Sequence, residues 1–454
     1  MTLSDRLGSP LLRNGERLFG TDGIRGVANT QLTAELALEL GRAAGSLLTT
    51  GPVLVGRDTR RSGEMLSASL QAGFQSAGID TVDAGVLPSG GISQLTAGGS
   101  ATMGAIVSAS HNPAEDNGIK LLAADGTKLA DAREDEIERR LRNGSRTIPL
   151  GAGVGTRFPL PDATEQYVGH LARDAEYRFR GISVVLDCAN GAAYRAAPAL
   201  FDRLGADVEV LAADPDGTNI NLGCGSTHPE FVTARSAGRV GLAFDGDADR
   251  LVAVDEIGEI VDGDAIMAIV ARHWKAAGRL TGDMVVATVM SNLGFRKSMD
   301  EAGIRVVETR VGDRYVLEAM REHRAVLGGE QSGHIIFLDR GRTGDGLLTA
   351  VRLLEVMAGT GKPLAELRAA AMRSYPQVLH NVRVAARDRL ATAGAVWDAV
   401  EEVERSLGAD GRVLVRASGT EPLVRVMVEA STDGEARRYA EALADVVSRE
   451  LGEG

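Results

Sequence analysis

The stretch AFDGDADRLVAVDE, residues 243–256, sets Asp245, Asp247 and Asp249 on alternate positions directly after an apolar run. On a flat strand these carboxylates share a face but stand about 6.5–7 Å from one to the next, too far apart to converge on one small ion. The spacing therefore predicts a curled loop, with Gly246 permitting the curl. Three clustered carboxylates supply hard oxygen ligands and three negative charges, which suits Mg²⁺ with a substrate phosphate completing its shell. The cation in turn relieves their mutual repulsion. Two other readings use the same residues. An EF-hand loop shares the D-x-D-x-D opening and an acidic twelfth residue, here Glu256, but its sixth residue is Gly where this chain has Arg250. A solvated acidic turn needs no ligand at all.

Three further clusters carry polar groups in useful combinations. SASHNP, residues 108–113, follows the strand-like GAIV. A serine beside a histidine is weak evidence for nucleophilic catalysis, because adjacent side chains rarely face each other. A serine on the tight turn after a strand, however, projects its hydroxyl into a cleft, where an Asp-held metal can stabilise phosphoryl transfer. Lys120 lies ten residues past Ser110. It either brings an amine to the phosphate or stands exposed on a strand. GGEQSGH, residues 328–334, combines Glu330, Ser332 and His334, groups that bind sugar hydroxyls better than phosphates; a glycine-rich turn or helix cap reads the same way. In RASGTEPLVR, residues 416–425, Arg416 and Arg425 flank Ser418, Gly419 and Thr420. Guanidinium forks, hydroxyls and backbone N–H groups together fit a phosphate dianion, with ordinary surface charge as the plainer reading.

The elements that must hold these clusters recur in three cycles. The first runs from PVLVGRDTR at Pro52 through a helix ending near Gly78, the strand IDTVDAG, and GAIVSASHNP at Gly104. The second has ISVVLDCANGAA at Ile182, a helix ending at Gly205, ADVEVLA, and VGLAFDGDADR at Val240. The third has DMVVATVMSNLG at Asp283, a helix ending at Gly303, IRVVETRVGD, and AVLGGEQSGH at Ala325. Val- and Ile-rich runs alternating with helices predict mixed, mainly parallel sheets, hence three related α/β domains spanning 1–160, 161–260 and 261–374. SASHNP, DGDADR and GEQSGH then fall beyond the carboxyl ends of strands, where open α/β sheets bind ligands. After each cluster a hairpin is expected, in NGIKLLAADGTKLAD, DRLVAVDEIGEIVDGD and SGHIIFLDRGRTGDG. From about residue 375 the texture changes to a small α+β module. Its helices carry Val396, Val400, Val403 and Leu407, then Ala436, Ala440, Leu443 and Val447, on single faces.

Composition narrows the partners. The 454 residues include 44% hydrophobic and 25% charged residues, ordinary for a globular protein, but only 4% aromatics, which disfavours base-stacking platforms. A net charge of −12 opposes nonspecific contact with nucleic acid or anionic membranes, so any phosphate must be gripped locally. Cys188 and Cys224 form no disulfide framework, and the N-terminal stretch has no apolar signal region, so a cytoplasmic protein is expected.

Taken in order, LFGTDGIRG from Leu18, GRDTRRSG from Gly56, SASHNPAEDNGIK, DGDADR, GGEQSGH and RASGTEPLVRV resemble the α-D-phosphohexomutase superfamily over nearly the whole chain. Within it the bacterial phosphoglucosamine mutase subfamily is most similar, on SASHNPAEDNGIK and on Gln331, where hexose mutases often have Met. The resemblance implies three α/β domains and a TBP-like fourth in a heart-shaped arrangement. It implies that Ser110 is a phosphoserine, that Asp245, Asp247 and Asp249 bind Mg²⁺ together with the seryl phosphate, and that Arg250 lies beside it. Lys120, Arg25 and His334 match groups that assist proton transfer. Glu330 and Ser332 match sugar-hydroxyl ligands, while Arg416, Ser418, Gly419, Thr420 and Arg425 match the distal phosphate loop. The implied reaction interconverts glucosamine 6-phosphate and glucosamine 1-phosphate through a 1,6-bisphosphate, for amino-sugar nucleotide and cell-envelope synthesis, in a monomer or homodimer. A phosphoglucomutase or phosphomannomutase, a metal-dependent phosphatase and a noncatalytic sugar-phosphate sensor are the alternatives. Asp245, Asp247 and Asp249 should then face Ser110 across a domain interface, with Glu256 well away from the metal.

Overall fold

The computed structural model describes residues 9–12, 17–20, 22–144, 148–418 and 422–452. Gly419 and Thr420 lie outside them. The first sheet contains β1 (Ile24–Val27), β2 (Val53–Arg57), β3 (Thr81–Val86), β4 (Met103–Val107), β5 (Asp116–Ala123) and β6 (Arg157–Pro159). The second has β7 (Ser183–Asp187), β8 (Asp207–Leu211), β9 (Val240–Phe244), β10 (Leu251–Val254) and β11 (Ile260–Val261). The third has β12 (Met284–Thr288), β13 (Arg305–Thr309), β14 (Leu327–Gly329) and β15 (Ile335–Phe337).

One arrangement recurs in all three. A parallel core, β3–β2–β4, β8–β7–β9 or β13–β12–β14, is extended antiparallel by β5, β10 or β15. The central strands β4 and β9 are buried along their whole length, as continuous apolar runs covered on both faces require. A helix follows the first strand of each cycle: Arg61–Ser76, Ala193–Leu204 and Leu293–Glu301. Gly205 ends the second of these with φ 83°, a left-handed cap that a side chain resists.

Here the structure adds to one expectation. In the second cycle the expected hairpin does follow the cluster, β10 turning back antiparallel onto β11, and in the first Leu122 bridges antiparallel to Lys128. Each cluster is also itself the loop of an antiparallel pair, β4/β5, β9/β10 or β14/β15. The run after SASHNP pairs straight back onto β4, Lys120 opposite Ile106, because its apolar residues complete the same buried sheet.

Internal packing divides the chain into two units: Met1–Met290 with Ile304–Ala370, and Ser291–Gly303 with Ala371–Gly454. The second contains β16 (Gln377–Arg383), β17 (Arg412–Ala417) and β18 (Leu423–Glu429), ordered β16–β18–β17 and wholly antiparallel. Val396, Val400 and Val403 of the helix Gly394–Leu407, with Ala440, Leu443 and Val447 of Asp433–Leu451, pack on this sheet, while Leu407 is only partly buried. Leu293–Glu301 joins the unit through the fully buried carboxylate of Glu429. That carboxylate accepts from the Leu293 N–H at 3.0 Å, Arg412 Nε at 3.0 Å and Gln377 Nε2 at 2.9 Å. Several donors replace the water that burial removes from the carboxylate. Among the described residues no helix is long and apolar enough to cross a membrane.

Candidate active site

Ser110 is buried at the turn between β4 and β5, with φ 53°. Its N–H donates to Ser108 Oγ at 2.9 Å, and Ser108 Oγ donates to Asp58 Oδ2 at 2.6 Å. The left-handed backbone turns the Ser110 hydroxyl to Asp245 Oδ2, 2.6 Å away and 135 residues on in sequence. It also brings the hydroxyl within 3.2 Å of Nδ1 of its own neighbour His111, the adjacency that an extended backbone prevents. Burial, with Arg250 and Arg25, pushes His111 down to about 4.

Facing the serine, Asp245, Asp247 and Asp249 are all buried, with one oxygen from each within 4.8 Å of the others. The left-handed residue that curls this loop is Ala248, φ 56°, not Gly246. Gly246 is needed for a different reason: a Cβ there would stand 2.5 Å from the Ser110 carbonyl oxygen. Burial and the neighbouring carboxylates hold Asp245 and Asp249 above the usual carboxylate range. For Asp247 burial acts the same way, but the Lys120 ammonium and a 2.8 Å bond from Ser89 Oγ outweigh it and hold it low. Buried Oδ1 atoms of Asp247 and Asp249 have no hydrogen-bond partner among the described residues. Three carboxylates with two orphaned oxygens fit a hard divalent cation. Glu256, at the far end of β10, instead accepts the N–H groups of Leu364 and Ala365 at 2.9 and 3.0 Å, so it caps a helix and is no twelfth calcium ligand.

Cations ring the acidic loop. Lys120 Nζ stands 2.8 Å from Asp22 Oδ1, 3.6 Å from Asp247 Oδ2 and 3.7 Å from Asp249 Oδ2. Burial alone disfavours its charge, yet these carboxylates keep it firmly an ammonium. Asp22, a third exposed and also paired to Arg25, is held down to about 2 because Lys120 and Arg25 outweigh its partial burial. Arg250 donates its N–H to Asp245 Oδ1 at 3.2 Å, and its Nε lies 3.9 Å from Asp249.

The β14/β15 loop adds His334, buried with Nε2 3.9 Å from Asp249 Oδ2. The Leu251 N–H donates to Gly333 O at 3.1 Å, fixing this loop against the start of β10. Glu330 Oε1 accepts the Gly312 N–H at 2.9 Å, while Ser332 is exposed. Ser110, Arg25, Lys120, the three aspartates, Arg250 and His334 thus form one cluster. In the second unit Arg416 and Arg425 are directly opposed across the β17/β18 ladder, and Ser418 is buried with its N–H on Leu423 O at 2.9 Å. Burial and the neighbouring Arg425 both lower the affinity of Arg416 for its proton.

Several contributors were not singled out from the sequence. Asp22, Asp58 and Arg60 lie inside LFGTDGIRG and GRDTRRSG, so the motifs carried a signal without assigning roles. Ser89 and Asn221 lie in no such motif; only the folded chain brings them to the aspartates and the serine.

Comparison with known proteins places these loops in a family. Models of the phosphoglucomutase/phosphomannomutase family match in succession: alpha/beta/alpha domain I at residues 16–147, domain II at 165–258, domain III at 262–375, and the C-terminal domain at 379–446. A phosphoglucosamine mutase of Shouchella clausii (strain KSM-K16) is 53% identical over 446 residues, covering 96% of this chain and 99% of that protein. A solved phosphoglucomutase/phosphomannomutase family protein from Burkholderia thailandensis superposes with a TM-score of 0.80 at 27% identity, over 96% of this chain and 97% of that one. Aspergillus fumigatus N-acetylphosphoglucosamine mutase, solved with GlcNAc-6P and magnesium, shares the fold with a TM-score of 0.71 at 20% identity, over 99% and 98% of the two chains. With all four domains matched in order, this chain belongs to the phosphoglucomutase/phosphomannomutase family.

Proposed function

We propose that the protein interconverts glucosamine 6-phosphate and glucosamine 1-phosphate in the cytoplasm, with Ser110 as the phosphoryl carrier. The observation that carries this reading is the Ser110 hydroxyl, 2.6 Å from the first of three buried carboxylates. The relative at 53% identity supplies the sugar. Phospho-Ser110 gives its phosphoryl group to O1 of the 6-phosphate: the Oγ–P bond breaks, an O1–P bond forms, the O1 proton leaves and Ser110 Oγ takes up a proton. The 1,6-bisphosphate reorients, and the same serine recovers the group from O6. Asp245, Asp247 and Asp249 would hold Mg²⁺, which supplies charge neutralisation at the phosphoryl oxygens. Arg250 adds a fixed positive charge there, and Lys120, Arg25 and His334 handle the protons.

Glu330 and Ser332 are assigned to sugar hydroxyls. Arg416, Ser418, Gly419, Thr420 and Arg425 are assigned to the phosphate that is not reacting. Since either end of the sugar must meet one nucleophile, that loop has to accept both orientations, and the guanidinium forks of Arg416 and Arg425 suit a rotating dianion.

Offering glucosamine 6-phosphate and glucose 6-phosphate in turn, with mass spectrometry at Ser110, tests the reading. We expect the amino sugar to be preferred, Ser110 to carry a phosphoryl group, and Ser110→Ala to lose at least about 10³-fold in turnover. A wide preference for glucose 6-phosphate would support the second reading that the family models suggest, a phosphoglucomutase or phosphomannomutase. Full activity in Ser110→Ala would remove the phosphoserine altogether.

A further inference from the structure

We infer that Arg60 and Asn221 are positioning residues that set the backbone of Ser110 for phosphoryl transfer. The inference rests on the reading of Ser110 as the phosphoryl carrier. Ser110 holds φ 53°, a strained conformation for a non-glycine residue that persists only where its surroundings impose it. The imposing groups act on the carbonyl side of the loop. The Arg60 guanidinium, fully buried, donates Nη2 to Ser110 O at 2.9 Å and to Asn112 O at 2.8 Å, and its Nη1 bonds Pro113 O. Asn221 Nδ2 donates to the same two carbonyls, Ser110 O at 2.9 Å and Asn112 O at 3.0 Å.

These two donors come from different parts of the first unit. Arg60 follows β2 in the sheet that bears the serine. Asn221 precedes β9, in the sequence region that also supplies the aspartates, and its N–H is fixed to Ala189 O at 2.9 Å. Gly246 closes the same contact, since a Cβ there would also stand 2.9 Å from Asn221 Nδ2. The clamp therefore fixes the serine loop relative to the acidic loop. Asp58 accepts from Arg60 Nε at 2.9 Å and from Ser108 Oγ at 2.6 Å, so the guanidinium is charge-balanced and tied to the Ser110 N–H through Ser108. Both the N–H and the carbonyl of Ser110 are thus held, leaving the hydroxyl as the part that points to the aspartates. A guanidinium spans three carbonyls with a rigid planar fork, which an ammonium cannot do.

The test measures kcat, KM, melting temperature and Ser110 phosphorylation for Asn221→Ala and Arg60→Lys beside the parent protein and Ser110→Ala. Because small misplacements of reacting groups cost up to about 10²-fold, we expect kcat to fall about tenfold in Asn221→Ala and about 10²-fold in Arg60→Lys. The KM for the sugar phosphate should stay within about threefold, since neither residue is assigned to the sugar. Single-turnover transfer from phospho-Ser110 should slow by the same factors as kcat. If the parent enzyme depends on phospho-Ser110 but folded Asn221→Ala keeps kcat within twofold, the positioning role is wrong while the carrier reading stands. A rise in KM matching the fall in kcat/KM, with transfer unslowed, also overturns it. Undiminished activity of Ser110→Ala instead removes the carrier reading itself.

Discussion

In the first unit three like charges, Asp245, Asp247 and Asp249, are buried within one coordination distance of each other. In the second, two like charges of the opposite sign, Arg416 and Arg425, face each other across a ladder rung, each only partly buried. Like charges held close by a fold repel one another, and on the proposed reading each place binds a ligand of the opposite sign. They differ in how repulsion is managed before that. The aspartates are deep, and the fold sets Lys120 and Arg250 against them; the arginines are only partly buried. On the proposed reading the acidic loop holds its cation in one geometry, while the arginine pair grips and releases a phosphate.

The strongest way to break the comparison is to withdraw the cation. Chelation should reduce turnover by at least about 10²-fold, with Mg²⁺ restoring it. In calorimetry Mg²⁺ at a hundred times its dissociation constant should stabilise the metal-free protein by about 2.7 kcal/mol. Unchanged melting on adding Mg²⁺ would refute the acidic loop as its site. Next, Arg416→Ala or Arg425→Ala should raise the KM of the sugar phosphate about 10- to 100-fold, the worth of a charge-assisted hydrogen bond, while kcat changes far less. A pure kcat effect there would contradict a gripping role.

Smaller effects test how rigidly the first unit is braced. Tyr167 donates its phenol to Asp345 Oδ1 at 2.7 Å, and Asp345 caps the helix Gly346–Thr360 through the Leu348 N–H at 3.0 Å. The Gly346 N–H in turn donates to Ala248 O at 2.9 Å, within the acidic loop. Tyr167→Phe should cost about 1–3 kcal/mol, read as a lower melting temperature. Last, burial raises Asp345 to about 6 from 3.8. Its proton is bound more tightly in the folded state, so its contribution to stability is full below about pH 4 and declines up to about pH 6. Asp345→Asn should therefore gain on the parent protein over that window, in melts followed from pH 4 to 7.

Much of this was legible in advance. Apolar runs of strand length ending in polar clusters located SASHNP, DGDADR and GEQSGH at strand ends, because burial of a parallel sheet demands continuous Val, Ile and Leu. The curl of the acidic loop is set by Ala248 rather than Gly246, since the glycine answers a contact with Ser110 O that lies far away in sequence. Asn221 and Ser89 were silent for the same reason: an Asn or Ser in a loop looks alike whether it faces water or a carbonyl of another domain.

The sequence by itself determined the three α/β cycles, the C-terminal module and the residue types able to carry phosphate and metal, because periodicity and hydrogen-bonding chemistry are local properties. Only the tertiary structure decided that Ser110 adopts a left-handed backbone, that Arg60 and Asn221 hold its carbonyl, and that Lys120 stands between Asp22 and the aspartate loop. It also decided that Leu293–Glu301 groups with the C-terminal module. Those facts depend on which surfaces meet, and the free energy of a buried polar contact is set by its partner rather than by its neighbours in the chain.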